Sequence, residues 1–235
     1  MRDMERRLPI VSAIAILALV AAACAPTAGE AGRVQVLQFA GTPSYYPQEA
    51  GLTWSYLRDG ARLDDPRYVE TVEGPTVLGG DVWTAFRLVG GGQDVTEYRQ
   101  FRPDGVYLRR QVRPGGSFDF DPPIRELPAA GSLRVGAIWN GQTVASGDFP
   151  EAPVGKRRFS QTVDYVYTVV DQRMVSVADR SFEVFVIDRT TRAFDDQGAI
   201  GEELTQTLWF APFVGKVRHE NGWFLVATNF ELPSP

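Results

Sequence analysis

The feature that most constrains the fold is a spacing of two between apolar residues, which recurs from Val34 onward in this 235-residue chain. Alternate residues of a β-strand point to opposite faces of the sheet, so this spacing predicts strands with one buried face. The clearest segment, 161–170, carries four such residues: Val163, Tyr165, Tyr167 and Val169. No uninterrupted window shows helical spacing over three turns. The sequence therefore predicts an all-β domain.

Further segments extend this prediction. The segment 181–187 is apolar on both faces, which predicts a central strand that is covered on both sides. A last strand is predicted from Gly222, with Phe224, Val226, Phe230 and Leu232 on one face. Earlier strands are predicted near 53–58, 68–73, 82–89, 95–101 and 106–112. We expect a single antiparallel domain, built as a curved sheet, a half-barrel or a barrel-like sandwich.

Glycine, asparagine and proline punctuate these segments and predict tight hairpins. The predicted turns are 79–81, 90–92, 103–105, 140–141 and 221–222. Between them, the segment 114–131 holds Pro122, Pro123 and Pro128. Proline cannot donate a hydrogen bond to a neighbouring strand, so we predict that this segment does not form a central strand. We expect it to be a crossover or a flap over one end of the sheet.

Three features recur in the same order on either side of that segment. The segment 51–54 resembles 136–139, 77–81 resembles 177–181, and 98–103 resembles 208–212. One interpretation is a duplication, with pseudo-repeated halves at 34–130 and 131–235. The alternative is that turns and aromatic strands recur in any β protein.

The first 23 residues have the three parts of a secretory signal peptide. Arg6 and Arg7 precede an apolar run that starts at Ile10 and ends in three alanines before Cys24. The run is shorter than the roughly 20 residues that a membrane-spanning helix needs. We therefore expect residues 1–23 to be removed after export.

The end of this run resembles the lipobox of bacterial lipoproteins, in which cleavage leaves a lipid-modified cysteine. The resemblance places the lipid on Cys24, although Ala21 stands where the family has a bulky aliphatic residue. It implies residues 24–33 as a lipidated N-terminus and flexible tether. It also implies anchoring to a bacterial envelope membrane, the outer membrane if the organism has one. The alternative is ordinary cleavage, which would leave a soluble exported protein with a free thiol.

Composition excludes several classes of function. Cys24 is the only cysteine, so the domain beyond it can hold no internal disulfide and no cysteine-bound metal. The net charge of −5 argues against a nucleic-acid partner, because such partners are bound mainly through Lys and Arg.

The residues that usually carry catalysis are sparse. His219 is the only histidine, which excludes a multi-histidine zinc site, and we expect it to be solvated at a hairpin end. No nucleophile elbow or phosphate-binding loop is present. The acidic pairs, expected to be solvated loop charge, are Asp64 with Asp65, Asp119 with Asp121, Asp195 with Asp196, and Glu202 with Glu203. The sequence predicts no enzyme, no metal and no cofactor.

Aromatic residues are a richer signal. Five tryptophans, together with many Phe and Tyr residues, could either fill a core or line an apolar cavity. If they line a cavity, the candidate ligand-binding residues are Trp83, Trp139 and Trp209.

Motifs at the two ends of the domain resemble a group of uncharacterised exported bacterial lipoproteins. They are Tyr45-Tyr46-Pro47, Gly51-x-x-Trp54-x-Tyr56 and the segment 209–218. The sequence departs from the group at Gln48, at Phe210 and at Phe213, where the group has glycine and a changed turn is expected. The resemblance implies export, lipidation and a curved antiparallel sheet, but no activity.

Together these observations predict a membrane-anchored, non-catalytic envelope lipoprotein that binds an apolar ligand or a lipid. The alternative is an accessory subunit of an envelope protein complex, which would use a loop or an open sheet edge.

Overall fold

The computed structural model describes residues 39, 41–155, 157–177, 179–194 and 200–232. The predicted signal peptide, Cys24 and the tether lie outside this range. The described residues form twelve β-strands: β1 (Thr53–Arg58), β2 (Tyr68–Leu78), β3 (Asp81–Gly90), β4 (Gln93–Arg102), β5 (Gly105–Arg113), β6 (Gly116–Pro128), β7 (Ile138–Asp148), β8 (Arg158–Val177), β9 (Arg180–Phe194), β10 (Ile200–Ala211), β11 (Gly215–Arg218) and β12 (Trp223–Thr228). The described residues include no helix that is long and apolar enough to cross a membrane.

The strands form a closed antiparallel barrel. Each strand pairs with the next along the chain, and β1 pairs with β12. The prediction of an all-β antiparallel domain is confirmed, and the architecture is a barrel. Closure gives every strand two neighbours, so the free edges of an open sheet are largely removed.

The period-two pattern located the strands well. The predicted strand 53–58 coincides with β1, and the other four early predictions lie inside β2 to β5. Three of the four alternating residues of β8, Tyr165, Tyr167 and Val169, are buried as predicted, and Val163 is half-buried. In β9, Val184 packs in one apolar cluster and Ile187 in another, so this strand is covered on both faces as predicted.

The proline-rich segment 114–131 was wrongly predicted to be irregular, since most of it forms β6. Pro122 and Pro123 are accommodated in a break of the pairing, where the ladder to β5 skips from Asp119 to Ile124. Proline has no N–H to donate to a neighbouring strand. Because this part of β6 is not paired with β5, neither proline has to donate such a hydrogen bond.

Side chains complete the wall beyond this break, where β6 is no longer paired with β7. The Thr143 hydroxyl donates to the Pro122 carbonyl at 2.6 Å, and the Trp139 indole N–H donates to the Arg125 carbonyl at 3.0 Å. The backbone N–H of Arg125 donates to the Tyr165 hydroxyl at 3.1 Å. These bonds satisfy backbone groups that would otherwise be left unpaired.

The predicted turn at Asn140-Gly141 is also wrong, because both residues lie inside β7, opposite Val166 and Tyr165. A Cβ on Gly141 would lie 2.4 Å from the Tyr165 hydroxyl, so the glycine allows close approach of this ring. The predicted turns at 79–81, 90–92, 103–105 and 221–222 do separate consecutive strands.

The turn after Pro212 has an unusual residue. Phe213 adopts a φ of 63°. This left-handed conformation is easy for glycine and costly for other residues. The turn therefore holds a bulky side chain in a backbone conformation that favours glycine.

The segments that resemble one another occupy matching positions in two sets of six strands. The segments 51–54 and 136–139 lead into β1 and β7, and the second pair spans the β2–β3 and β8–β9 turns. The third pair lies at the ends of β4 and β10. A duplication would produce this arrangement, and it stays a prediction.

The two ends of the barrel differ. At the end that carries the β2–β3 and β4–β5 turns, the segment before β1 packs across the interior. Tyr45 and Tyr46 contact the ring of Phe210, and the Tyr46 hydroxyl donates to the Pro128 carbonyl. The Phe213 N–H donates to the Tyr45 carbonyl at 3.0 Å. We call this the closed end and the opposite end the mouth.

Candidate ligand cavity with a charged floor

The mouth leads into a cavity of about 620 Å³. Residues around its outer part, among them Arg113, Glu202 and Leu204, are exposed to solvent. Residues at its inner part, among them Glu70 and Glu126, are buried. Its apolar wall includes Phe86, Leu88, Leu108, Phe120, Ile124 and Trp223.

The inner part of the cavity meets a layer of ionisable side chains that crosses the barrel. We call this the charged layer, and its members are Glu70, Glu97, Arg99, Glu126, Arg189, Lys216, His219 and Glu220. All except Arg99 line the cavity. They come from β2, β4, β6, β9 and β11 and from the turn that follows β11. The charged layer separates the cavity from the apolar packing of the closed end.

Arg99 is the centre of one half of this layer. Its Nε donates to Glu126 at 2.7 Å, its Nη2 donates to Glu97, and its Nη1 lies 3.5 Å from Glu70. The guanidinium also lies over the ring of Phe86, 4.7 Å from the centroid. Burial lowers the pKa of Arg99, but the three carboxylates outweigh it and raise the pKa well above its ordinary value. The side chain therefore stays charged.

Glu70 links this centre to His219. Burial raises the pKa of Glu70, but His219 and Arg99 together lower it to about 2. Its carboxylate accepts a hydrogen bond from the Tyr56 hydroxyl at 3.3 Å and lies 3.6 Å from Nε2 of His219. Glu70 is thus ionised at neutral pH although it is buried.

The position of His219 corrects the sequence prediction. It was expected to be solvated, but it is only 6% exposed. Its ring lies edge-on to Tyr56, with centroids 4.5 Å apart. The turn that contains it follows β11, which has only four residues, and so the side chain reaches the interior of the barrel.

Glu220 is the centre of the other half of the layer, and its contacts are longer. Its carboxylate lies 3.5 Å from Nζ of Lys216, 3.8 Å from Nη1 of Arg189 and 3.8 Å from Nδ1 of His219. These distances exceed the 2.7–3.2 Å that is usual for hydrogen bonds. Burial raises the pKa of Glu220, but the charges of Lys216 and Arg189 lower it by more than burial raises it. The pKa is therefore below its ordinary value, and the carboxylate is ionised.

Two buried side-chain nitrogens of the charged layer have no hydrogen-bond partner among the described residues. They are Nε of Arg189 and Nε2 of His219. A buried polar group without a partner costs free energy, and such groups are rare in folded proteins. They can be satisfied by water or by a ligand in the adjoining cavity.

None of the three tryptophans predicted to bind a ligand lines this cavity. Trp139 is buried on the closed side, stacked on Tyr167 with centroids 5.2 Å apart. Trp209 lies against Phe224 and the guanidinium of Arg173, outside the cavity wall. The aromatics at these positions pack against protein instead.

Trp83 is buried in β3 but also lies off the cavity. Phe86, three residues further along the same strand, does line it. Residues an odd number apart on a strand point to opposite faces, so both could not face inward. The tryptophan on the wall is Trp223, which stacks on Tyr68 with centroids 4.1 Å apart.

Asp64 and Asp65 lie in a loop as predicted, with Asp64 exposed and Asp65 half-buried. The acidic residues on β6 and Glu203 on β10, in contrast, form ion pairs on strands. Asp119 pairs with Arg110 at 2.7 Å, and Asp121 pairs with Arg109 at 2.9 Å. Glu202 lines the mouth, whereas Glu203 pairs with Arg192. Asp64 and Asp65 lie between β1 and β2, and Asp195 and Asp196 lie outside the described residues. In the described part of the chain, no group of three or more His, Cys, Asp or Glu residues could hold a metal ion.

Comparison with known proteins gives no match: no family model, no curated protein and no solved structure matches this chain.

Proposed function

We propose that this protein is a non-catalytic binding protein that holds a small amphipathic ligand in the cavity of its barrel. The observation that carries the proposal is a cavity with an apolar wall and a charged floor. Its volume of about 620 Å³ falls within the range of roughly 300–1,000 Å³ that is usual for ligand sites. Such sites combine apolar walls with a few convergent polar groups.

The charged layer refines the ligand class that the sequence predicted. A wholly apolar ligand would displace water from Arg189, Lys216 and Glu220 without replacing its hydrogen bonds. Leaving polar groups buried without partners is costly. A ligand with a polar head and an apolar tail would instead match the floor with its head and the wall with its tail.

The state of the carboxylates supports a binding role rather than acid–base catalysis. The pKa values of Glu70 and Glu220 are both lowered by the basic groups around them. An efficient general acid or base has a pKa near the working pH. Carboxylates held ionised in ion pairs are poorly suited to that task.

The proposed location is a bacterial envelope membrane, with Cys24 as the lipid-bearing residue. The support comes from the signal-like segment before Cys24 and from the resemblance to exported lipoproteins. The alternative role, an accessory subunit of an envelope complex, has less support, because pairing of β1 with β12 removes the open sheet edge it could have used. It would depend on loops.

The test is mass spectrometry of the full-length protein, extracted gently from its own membrane. We expect a non-covalent ligand that is released on denaturation and a lipid on the cysteine that is absent in Cys24→Ser. Thr191→Trp, which fills the cavity, should abolish the ligand. Thr190→Trp is the matched control, since Thr190 precedes it on β9 and contacts the hydroxyl of Thr205 outside the cavity.

An empty wild-type protein, or equal ligand occupancy in the two tryptophan variants, would overturn the proposed binding function.

A further inference from the structure

We infer that the head group of the ligand is an anion, such as a carboxylate, held by Arg189, Lys216 and His219. This inference rests on the proposed binding function and specifies which ligands it takes. It comes from the balance of used and unused hydrogen-bonding groups on the floor of the cavity.

The unused groups on the floor include a guanidinium N–H of Arg189, which can only donate, and an imidazole nitrogen of His219. Nε of Arg189 and Nε2 of His219 are buried, have no hydrogen-bond partner among the described residues, and belong to side chains that line the cavity. Lys216 adds an ammonium whose nearest carboxylates are 3.5 and 4.0 Å away. A ligand that reaches the floor therefore meets donors that need an acceptor.

The carboxylates of the Arg99 half are already engaged. Glu126 and Glu97 both accept from Arg99, and Glu97 also accepts from the side-chain amide of Gln111 at 2.7 Å. Glu70 accepts from Tyr56. A cationic head group would have to compete with these buried, charge-assisted bonds, which are the stronger class of hydrogen bond.

The two halves of the layer also differ in local charge. Three carboxylates surround Arg99, whereas two cations, Lys216 and Arg189, face the single carboxylate of Glu220. The charges of the neighbouring acids raise the pKa of Lys216 above its ordinary value although burial lowers it. Lys216 therefore remains a cation at neutral pH, and this half of the floor attracts an anion.

The carboxylate of Glu220 lies near the same three side chains that would bind an anionic head group. Its contacts with Lys216, Arg189 and His219, 3.5 to 3.8 Å, are all longer than ordinary hydrogen bonds. Its charge also repels a second carboxylate nearby. Removal of this charge should therefore tighten the binding of an anionic ligand, although removal of an ordinary contact residue would weaken it.

The experiment compares three probes with the same ten-carbon chain and different heads: decanoate, decanol and decyltrimethylammonium. Their affinities for the full-length protein, freed of its co-purified ligand, are measured by calorimetry below their critical micelle concentrations. We expect decanoate to bind at least tenfold more tightly than decanol, and decyltrimethylammonium to bind weakest.

Variants then test the residues. Arg189→Gln should weaken decanoate by about tenfold while leaving decanol unchanged, since a hydrogen bond to a charged group is lost. Glu220→Gln should tighten decanoate several-fold, an effect that partial unfolding cannot produce. Arg192→Gln, on the same strand but off the cavity and paired with Glu203, should change neither.

The outcomes separate this inference from the proposed function. If decanol binds as tightly as decanoate, or if Glu220→Gln weakens decanoate, the anionic head group is wrong while the cavity still binds amphiphiles. If decyltrimethylammonium binds best, the head group is a cation. If no probe binds to wild type and Thr191→Trp changes nothing, both the inference and the proposed function fail.

Discussion

Two arginines on neighbouring strands show how burial changes the meaning of an ion pair. Arg87 on β3 donates to both oxygens of Asp94, at 2.9 and 2.8 Å, and lies 3.7 Å from Glu73. Arg99 on β4 contacts three carboxylates at similar distances. The side chain of Arg87 is 45% exposed, whereas that of Arg99 is 6% exposed.

The difference lies in what replaces the arginine when it is lost. Water and salt can solvate Asp94 and Glu73 on the outer wall, so an exposed pair contributes roughly 0–1 kcal/mol. Inside the barrel, loss of Arg99 would leave Glu70, Glu97 and Glu126 close together without their common partner. Removal of one partner of a buried pair typically costs about 3–5 kcal/mol. Geometry alone therefore says little about the energetic weight of either arginine.

The largest expected effect is that of Arg99→Met, which keeps much of the side-chain volume and removes the charge. We expect the free energy of unfolding to fall by about 3–5 kcal/mol, because three buried carboxylates lose their counter-ion. Urea denaturation monitored by tryptophan fluorescence measures it. A loss below about 1 kcal/mol would mean that water reaches the charged layer freely, and the contrast with the outer wall would disappear.

Acid should act mainly on the interior. The pKa of Glu70 is lowered from 4.5 to about 2, so its contribution is fully present above pH 4.5 and is lost as the pH falls towards 2. This contribution is on the order of 3 kcal/mol. We expect the free energy of unfolding to fall across this window, and to fall less steeply in Glu70→Gln. Denaturation curves at successive pH values measure both slopes, and parallel slopes would show that Glu70 does not titrate in this way.

A smaller effect is expected for Arg87→Met on the outer wall. The free energy of unfolding should fall far less than in Arg99→Met, since water solvates the two carboxylates left behind. The same denaturation experiment provides the direct comparison with Arg99→Met. A loss as large as that of Arg99→Met would show that exposure does not separate the two sites.

The smallest effect is the response to salt. At 1 M salt, charges more than about 3 Å apart at the surface are screened, while buried pairs are screened much less. The loss of stability caused by Arg87→Met should therefore be smaller in 1 M NaCl than at low salt. The cost of Arg99→Met should stay constant. Equal salt sensitivity of the two variants would place both arginines in the same dielectric environment.

The fold was largely predictable because its strands carry a simple alternation. Every predicted early strand lies within an observed strand, and the pattern in 161–170 identified the buried face of β8. The failures come from long-range contacts. Gly141 is shaped by the ring of Tyr165 from another strand, and the prolines of β6 depend on a break in pairing that only the folded barrel defines.

The charged layer was missed because charged residues were assumed to face water. Yet Glu70 lies between Tyr68 and Val72 on one face of β2, and Glu126 shares a face of β6 with Ile124. A charge at a position where the alternation requires an apolar residue was the signal available in the sequence. What no single strand could reveal is that these isolated charges meet in space, since their partners lie on other strands.

The closed end described above restricts the orientation in which the proposed ligand could enter and leave the barrel. With Tyr45 and Tyr46 packed across one opening, the proposed ligand would have to enter and leave through the same mouth. A ligand whose polar head contacts the charged layer would have to enter head first, and its tail would then point towards the mouth. When such a ligand leaves, its apolar tail would emerge first. The tail could then enter a second hydrophobic environment without the ligand having to turn around. A tube open at both ends would impose no such order.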